Sequence, residues 1–218
     1  MSALPRSVAL LLLILCGQAP AAERQHHGVV FEQWVRDTFF DGYRPKTYTQ
    51  KWDIPAAANR RFGGIPVNPK TARYRGPVDL GDALRQFDIN EPFWLVIGYW
   101  EDGDGGRKIV AIAAVRVEPA AWRKLWGGIT RADLEKLDAV IKDRSLSPEQ
   151  ARVRAQAVKN RPPFTEATIT LNPKIDGKTQ RRLQCSLSFA GVCRLLAPKT
   201  PPKPQRSPTL WGVPWPGF

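Results

Sequence analysis

Histidine is almost missing from this chain. His26 and His27 are the whole supply in 218 residues, and they stand together in a polar stretch near the start. Ser–His–Asp and Cys–His catalysis need an imidazole held beside the nucleophile inside a folded domain, so those hydrolytic classes fall away. The pair itself is better read as solvated than as a metal ligand. Cysteine is nearly as scarce, with Cys16, Cys185 and Cys193. Two late cysteines with no histidine nearby do not make a zinc site. No glycine-rich loop of the phosphate-cradling kind occurs, which removes the nucleotide triphosphatases and leaves no nucleotide cofactor to expect. No apolar run approaches the roughly 20 residues of a membrane span, so no stable membrane anchor is expected. Acid is the last shortage: 20 Asp and Glu stand against 33 Lys and Arg, a formal net charge of +13. Such an imbalance says nothing about fold but favours polyanionic partners such as nucleic acid or an anionic membrane surface.

What is present suits one domain. The length allows a single good-sized core, and 43% apolar residues can fill it. Residues 1–21 read as a signal peptide: Arg6 as the basic start, Val8 to Cys16 as the apolar run, Ala19-Pro20-Ala21 as the small-residue cleavage site. That predicts a periplasmic or secreted protein, or a cytoplasmic one if the start codon is misassigned. In an oxidising compartment Cys185 and Cys193 either pair, with a spacing suited to neighbouring strands and a tight turn, or stay free and buried. Residues 197–218 are rich in Pro, Lys and Ser and predict an extended tail whose Trp211 and Trp215 dock back. The domain itself is expected over residues 28–196.

Periodicity predicts a helix over Val29 to Phe39, with Phe31, Trp34, Val35 and Phe39 on one stripe and Glu32 beside it. Strands are predicted at Thr47 to Ile54 and Ile65 to Thr71. Pro66 and Pro69 put the second at a sheet edge. Val78 to Phe87 reads as a short helix or turn. Phe93 to Trp100 and Lys108 to Val117 are apolar runs expected to be buried on both faces, and the Glu101–Gly106 stretch between them reads as a hairpin loop. Trp122 and Trp126 belong to a short link in the core. Thr130-x-x-Asp133 is a capping box before the Leu134, Leu137, Ile141 stripe, and Ser147-Pro148 opens another helix. Ala167 to Leu171 and Leu183 to Phe189 read as late strands.

Chemistry concentrates around Asp53 and Lys70. Side chains alternate along a strand, so Asn68 and Lys70 share a face. If the two early extended segments pair, that face brings Lys70 to Asp53. A carboxylate can hold a hard cation, and a lysine beside it can orient water or share developing charge; together they suit phosphodiester hydrolysis. Basic residues that can meet backbone phosphates are Arg60, Arg61, Arg73 and Arg75, and the late cluster Lys174, Lys178, Arg181 and Arg182.

In order, F-E-x-W-V at Phe31 to Val35, K-W-D-I-P with I-P-V-N-P-K-T-A, and the late N-P-K-I-D-G-K-T-Q-R-R-L-Q-C-S resemble the PD-(D/E)XK, or restriction-endonuclease-like, nucleases, specifically bacterial restriction-type members. The resemblance implies an α/β (α+β) fold with a mixed central β-sheet flanked by helices, and Mg2+-dependent cleavage of DNA, with Mn2+ able to replace Mg2+ and a homodimer compatible. It makes Asp53 the metal-binding acid, Lys70 the catalytic lysine, and Glu32 a holder of metal or water. One position departs: Asn68 stands where the family has Asp or Glu, leaving Glu32, Asp79 or Asp82 to supply the missing charge, with Glu32 favoured. Two other functions compete with an exported endonuclease. One is a non-catalytic binder of nucleic acid or another polyanion, which Asn68 motivates. The other is a cationic interaction protein that uses its Trp-rich tail.

Overall fold

The apolar run at Phe93 becomes β3 (Phe93–Gly103), the middle strand of the central sheet. A computed structural model describes residues 20–47, 50–103, 106–176, 180–195 and 202–217, with the backbone alone for 20–27. The expected signal peptide and Lys178 lie wholly or mainly outside the described residues. β3 pairs in parallel with β1 (Val67–Arg73) and antiparallel with β4 (Gly106–Val117), so this sheet is mixed. β1 forms one edge, which is where its internal Pro69 can sit without removing a ladder donor from a central strand.

Alternation along β3 sends successive side chains to two cores. Leu95, Ile97 and Tyr99 enter the larger core, and Val96 enters the smaller one. On the smaller side lies α1 (Pro20–Phe39), which seats Phe31, Val35 and Phe39. On the larger side lies a second, antiparallel sheet in the order β2-β6-β5, made of β2 (Val78–Asp82), β5 (Ile169–Ile175) and β6 (Arg181–Leu187). The helices α2 (Ala83–Phe87), α3 (Pro119–Leu125), α4 (Arg131–Lys142), α5 (Pro148–Lys159) and α6 (Phe189–Leu195) pack around it. The α+β class with a mixed central sheet flanked by helices is therefore as expected. α4 and α5 carry full capping boxes at Thr130 and Ser147, and Leu134, Leu137 and Ile141 are fully buried. Trp122 and Trp126 are core residues.

Four expectations need correction. Thr47 to Ile54 does not form the expected strand: among its described residues only Ile54 pairs, in an isolated antiparallel bridge to Val67. The Gln50 side chain instead folds back, accepting from the Lys46 amide at 2.7 Å. Val78 to Phe87 divides into a strand and a helix, with Gly81 at a register shift in β2. β6 ends at Leu187, because the Ser188 hydroxyl accepts from the Gly191 amide and starts α6. Cys193 thus sits on a helix, and Cys185 and Cys193 are both free thiols. The tail also gains structure, as β7 (Thr209–Leu210) and β8 (Val213–Pro214) form a hairpin.

That hairpin straps α1. Trp211 stacks on Phe62 at 3.9 Å, and Trp215 packs on Phe31 and Trp34. Among the described residues, no helix is long and apolar enough to cross a membrane.

Candidate active site

Lys70 donates from Nζ to Oδ2 of Asp53 at 2.8 Å. Both ends of that contact are positioned locally. Asp53 immediately precedes the Ile54–Val67 bridge, whose amides and carbonyls exchange bonds of 3.1 and 2.8 Å. On its other side, Glu91 accepts from Trp52 Nε1 at 2.9 Å and from Lys51 Nζ at 2.7 Å, which anchors the chain leading into Asp53. These two donors hold the Glu91 carboxyl below its ordinary range. The turn from Asp53 to β1 is fastened by Asn59, which is fully buried. Its Nδ2 donates to the carbonyls of Phe62 and Ile65, and its Oδ1 accepts from the Phe62 amide. A buried amide with its bonds made is a structural pin, and it delivers β1 in register with Asp53.

Asn68 is 3% exposed and shares the face of β1 that carries Lys70. Together with Asp53 they line a basin of about 280 Å³, closed by Asp82, Arg85 and Arg182 from the second sheet and α2. Asp82 is partly committed, since its Oδ1 caps α2 by accepting from the Arg85 amide. Asp79 accepts from the Gly81 amide instead.

Glu32 reaches the same centre from α1. It lines a second basin, of about 360 Å³, with Asp53, Gln50, Arg36, Arg44 and Lys46. Asp53 and Gln50 belong to both basins and form the divide between them. Burial pushes the Glu32 carboxyl above its ordinary value. Lys70 pulls it back, the Asp53 charge raises it further, and Arg36 again lowers it. Glu32, Asp53 and Lys70 therefore share one electrostatic neighbourhood.

The oxygen donors of the first basin are the Asp53 carboxylate, the partly committed Asp82 carboxylate and the Asn68 amide, with the Glu32 carboxylate across the divide. Among the described residues, no group of three or more His, Cys, Asp or Glu side chains gathers as a metal site. Mg2+ commonly takes one or two protein carboxylates and keeps several waters, so this all-oxygen set fits that ion. It offers one anionic ligand fewer than a site with Asp or Glu at position 68.

The expected phosphate-binding residues separate. Arg182 is exposed at the first basin. Lys174 is exposed on β5 directly opposite it. Arg60 is exposed, and Arg75 lies over the Tyr74 ring. Arg61 pairs with Asp41 at 3.7 Å and Arg73 with Asp102 at 3.3 Å. Arg181 turns inward, donating to the carbonyls of Ile141, Asp143 and Leu146 at 3.1, 3.2 and 2.9 Å. Its guanidinium serves the end of α4, where unpaired carbonyls need donors, and not an outer ligand. Several site residues were not found from sequence: Arg36, Lys46, Gln50 and Arg85. Only Arg36 left a legible signal, one helical turn after Glu32.

Comparison with protein-family models, with curated proteins and with solved structures finds no match to this chain.

Proposed function

We propose that the protein is a metal-dependent DNA endonuclease, a PD-(D/E)XK-type enzyme exported to the periplasm or medium. The observation that carries this is the 2.8 Å contact of Lys70 with Asp53 on an edge strand of a mixed sheet. Glu32 stands across the divide from the same centre, and Asn68 lies on the Lys70 face.

In this account a phosphodiester enters the first basin past Arg182 and Arg85. Lys70, held beside Asp53, turns its ammonium toward a phosphoryl oxygen and takes up the charge that builds there. Glu32 orders the attacking water. The bond from that water to phosphorus forms as the bond to the leaving oxygen breaks; the water's proton passes to solvent, and the leaving oxygen takes a proton from solvent. Asp53, Glu32 and the Asn68 carbonyl would hold Mg2+, which would supply Lewis-acid stabilisation and lower the pKa of water. Asp53 also orients Lys70 through their 2.8 Å contact, so it acts twice.

The test is nicking of supercoiled plasmid by the full mature chain with Mg2+, and again with EDTA. Cutting that EDTA abolishes is expected. DNA binding without cutting at any Mg2+ or Mn2+ concentration would contradict it and favour the second reading, a polyanion binder on the same fold. What favours that second reading is Asn68, which supplies no charge where Asp or Glu would hold metal more tightly.

A further inference from the structure

We infer that the second basin, on the side of Asp53 away from Lys70, binds another backbone phosphate of the same strand, with Arg36 as its main ligand and Lys46 beside it. This deepens the nuclease proposal and takes its substrate class from it, by passing the polynucleotide over Asp53 from one basin to the other.

Arg36 carries the inference. Its side chain is 11% exposed. Its nearest anionic partner, Oε2 of Glu32, lies 3.7 Å from Nη1, beyond hydrogen-bond length. Its Nε is buried with no hydrogen-bond partner among the described residues. A guanidinium cannot shed its proton, so it cannot escape burial by neutralising as a lysine can. Left in this state it bears a desolvation cost that an incoming anion would offset.

The surroundings agree with an anion. A cavity of about 360 Å³ opens beside Arg36. Lys46 stands on its rim, exposed, and forms no ion pair among the described residues. Gln50 holds that rim in place, accepting from the Lys46 amide and donating to the Tyr43 hydroxyl and the Trp52 carbonyl. Arg44 is otherwise engaged, with Asp37 at 2.7 Å and the carbonyl of Gly42. The two carboxylates that face the basin are Glu32 and Asp53, and Asp53 is already matched by Lys70. Arg36 has only its 3.7 Å ion pair with Glu32, and Lys46 has no ion pair among the described residues. A planar fork with a point charge beside it is the arrangement that recognises phosphate.

The experiment is duplex-oligonucleotide binding by the full mature chain in EDTA, titrated across salt. Each phosphate that the protein neutralises contributes about 0.9 to the slope of log affinity against log salt. Arg36→Gln and Lys46→Gln should each weaken binding of every sequence tested and reduce that slope by about 0.9 for each phosphate no longer neutralised. Arg36→Lys should keep most of the slope. If Arg36→Gln fails to fold, the exposed Lys46→Gln and the Arg36→Lys pair carry the test. Inorganic phosphate alone is the second arm. If it raises the melting temperature of the native protein but not of Arg36→Gln, while DNA slopes stay equal, the basin takes free phosphate and the inference is overturned. Equal slopes in both folded variants overturn it as well. Because no metal and no cutting are involved, a slope that depends on Arg36 in a protein that never cuts would sink only the nuclease proposal. Cutting with an unchanged slope would sink only this one.

Discussion

Phe31 rests on bare backbone at Gly98. A Cβ added to Gly98 would come within 2.8 Å of Phe31 Cε2 and 2.9 Å of Cδ2 and Cζ. Glycine is required there by close approach, since that is how α1 seats low enough on the central sheet to bring Glu32 beside Asp53. Gly98→Ala should destabilise the fold by about 1–3 kcal/mol through overpacking, read as a lower denaturation midpoint, and should slow cutting beyond what lost folding explains. An unchanged midpoint would show that α1 shifts freely, and Glu32 would then not be fixed by this contact.

The raised Glu32 carboxyl sets a pH signature. Burial lifts its pKa in the folded protein above that of the unfolded chain, against the pull of Lys70 and Arg36. Between the two values the folded state binds more protons, so stability falls as pH rises through that window. Glu32→Gln removes the ionisation. Its stability should match the native protein below the ordinary glutamate range, exceed it above the window, and change less with pH between. Urea midpoints across pH check this. A native protein that grows steadily more stable from acid to neutral pH relative to Glu32→Gln would contradict it.

Position 68 should tune metal demand. Asn68→Asp adds an anion beside Asp53 and Lys70 in a basin that holds both. Unit charges at about 4 Å attract by roughly 1–4 kcal/mol between water-like and surface-like dielectrics. The Mg2+ concentration for half-maximal cutting should therefore fall about tenfold or more, tenfold being about 1.4 kcal/mol. An unchanged or higher requirement would remove Asn68 from the donor set.

Arg181 and Arg182 are neighbours with different tasks. Arg181→Ala strips donors from the carbonyls of Ile141, Asp143 and Leu146. It should lower stability by on the order of 2–3 kcal/mol while leaving the salt slope of DNA binding intact. Arg182→Ala should do the reverse, reducing affinity and slope with little effect on the midpoint. Thermal melts beside salt titrations separate the two.

Much of this was legible from local pattern. The Thr130 and Ser147 caps, the Phe31–Val35–Phe39 stripe and the β3 run all have short-range causes, and each formed where periodicity put it. The meeting of Asp53 with Lys70 was legible because alternation on β1 and the Ile54–Val67 bridge needed only neighbouring segments. The second sheet was half legible. β5 and β6 read as strands, but β2 is short and broken at Gly81, which looks like a turn in sequence. The strand expected before Asp53 is reduced, among the described residues, to the single Ile54–Val67 bridge, a pairing that local alternation does not distinguish from a strand. Of the second basin only the Arg36 spacing from Glu32 was legible, because α1 reaches Asp53's side only through packing, set by Gly98 and the tail tryptophans.

The most direct measurement is single-turnover cleavage of DNA in saturating Mg2+ by the native chain, Asp53→Asn and Lys70→Met, with folding of each verified by its melting transition. Both substitutions keep the size of the side chain and remove its charge. Each variant should bind DNA and lose cleavage by at least two orders of magnitude, the scale of removing one preorganised electrostatic group. Cleavage at the native rate by either folded variant would contradict the assignment of this site.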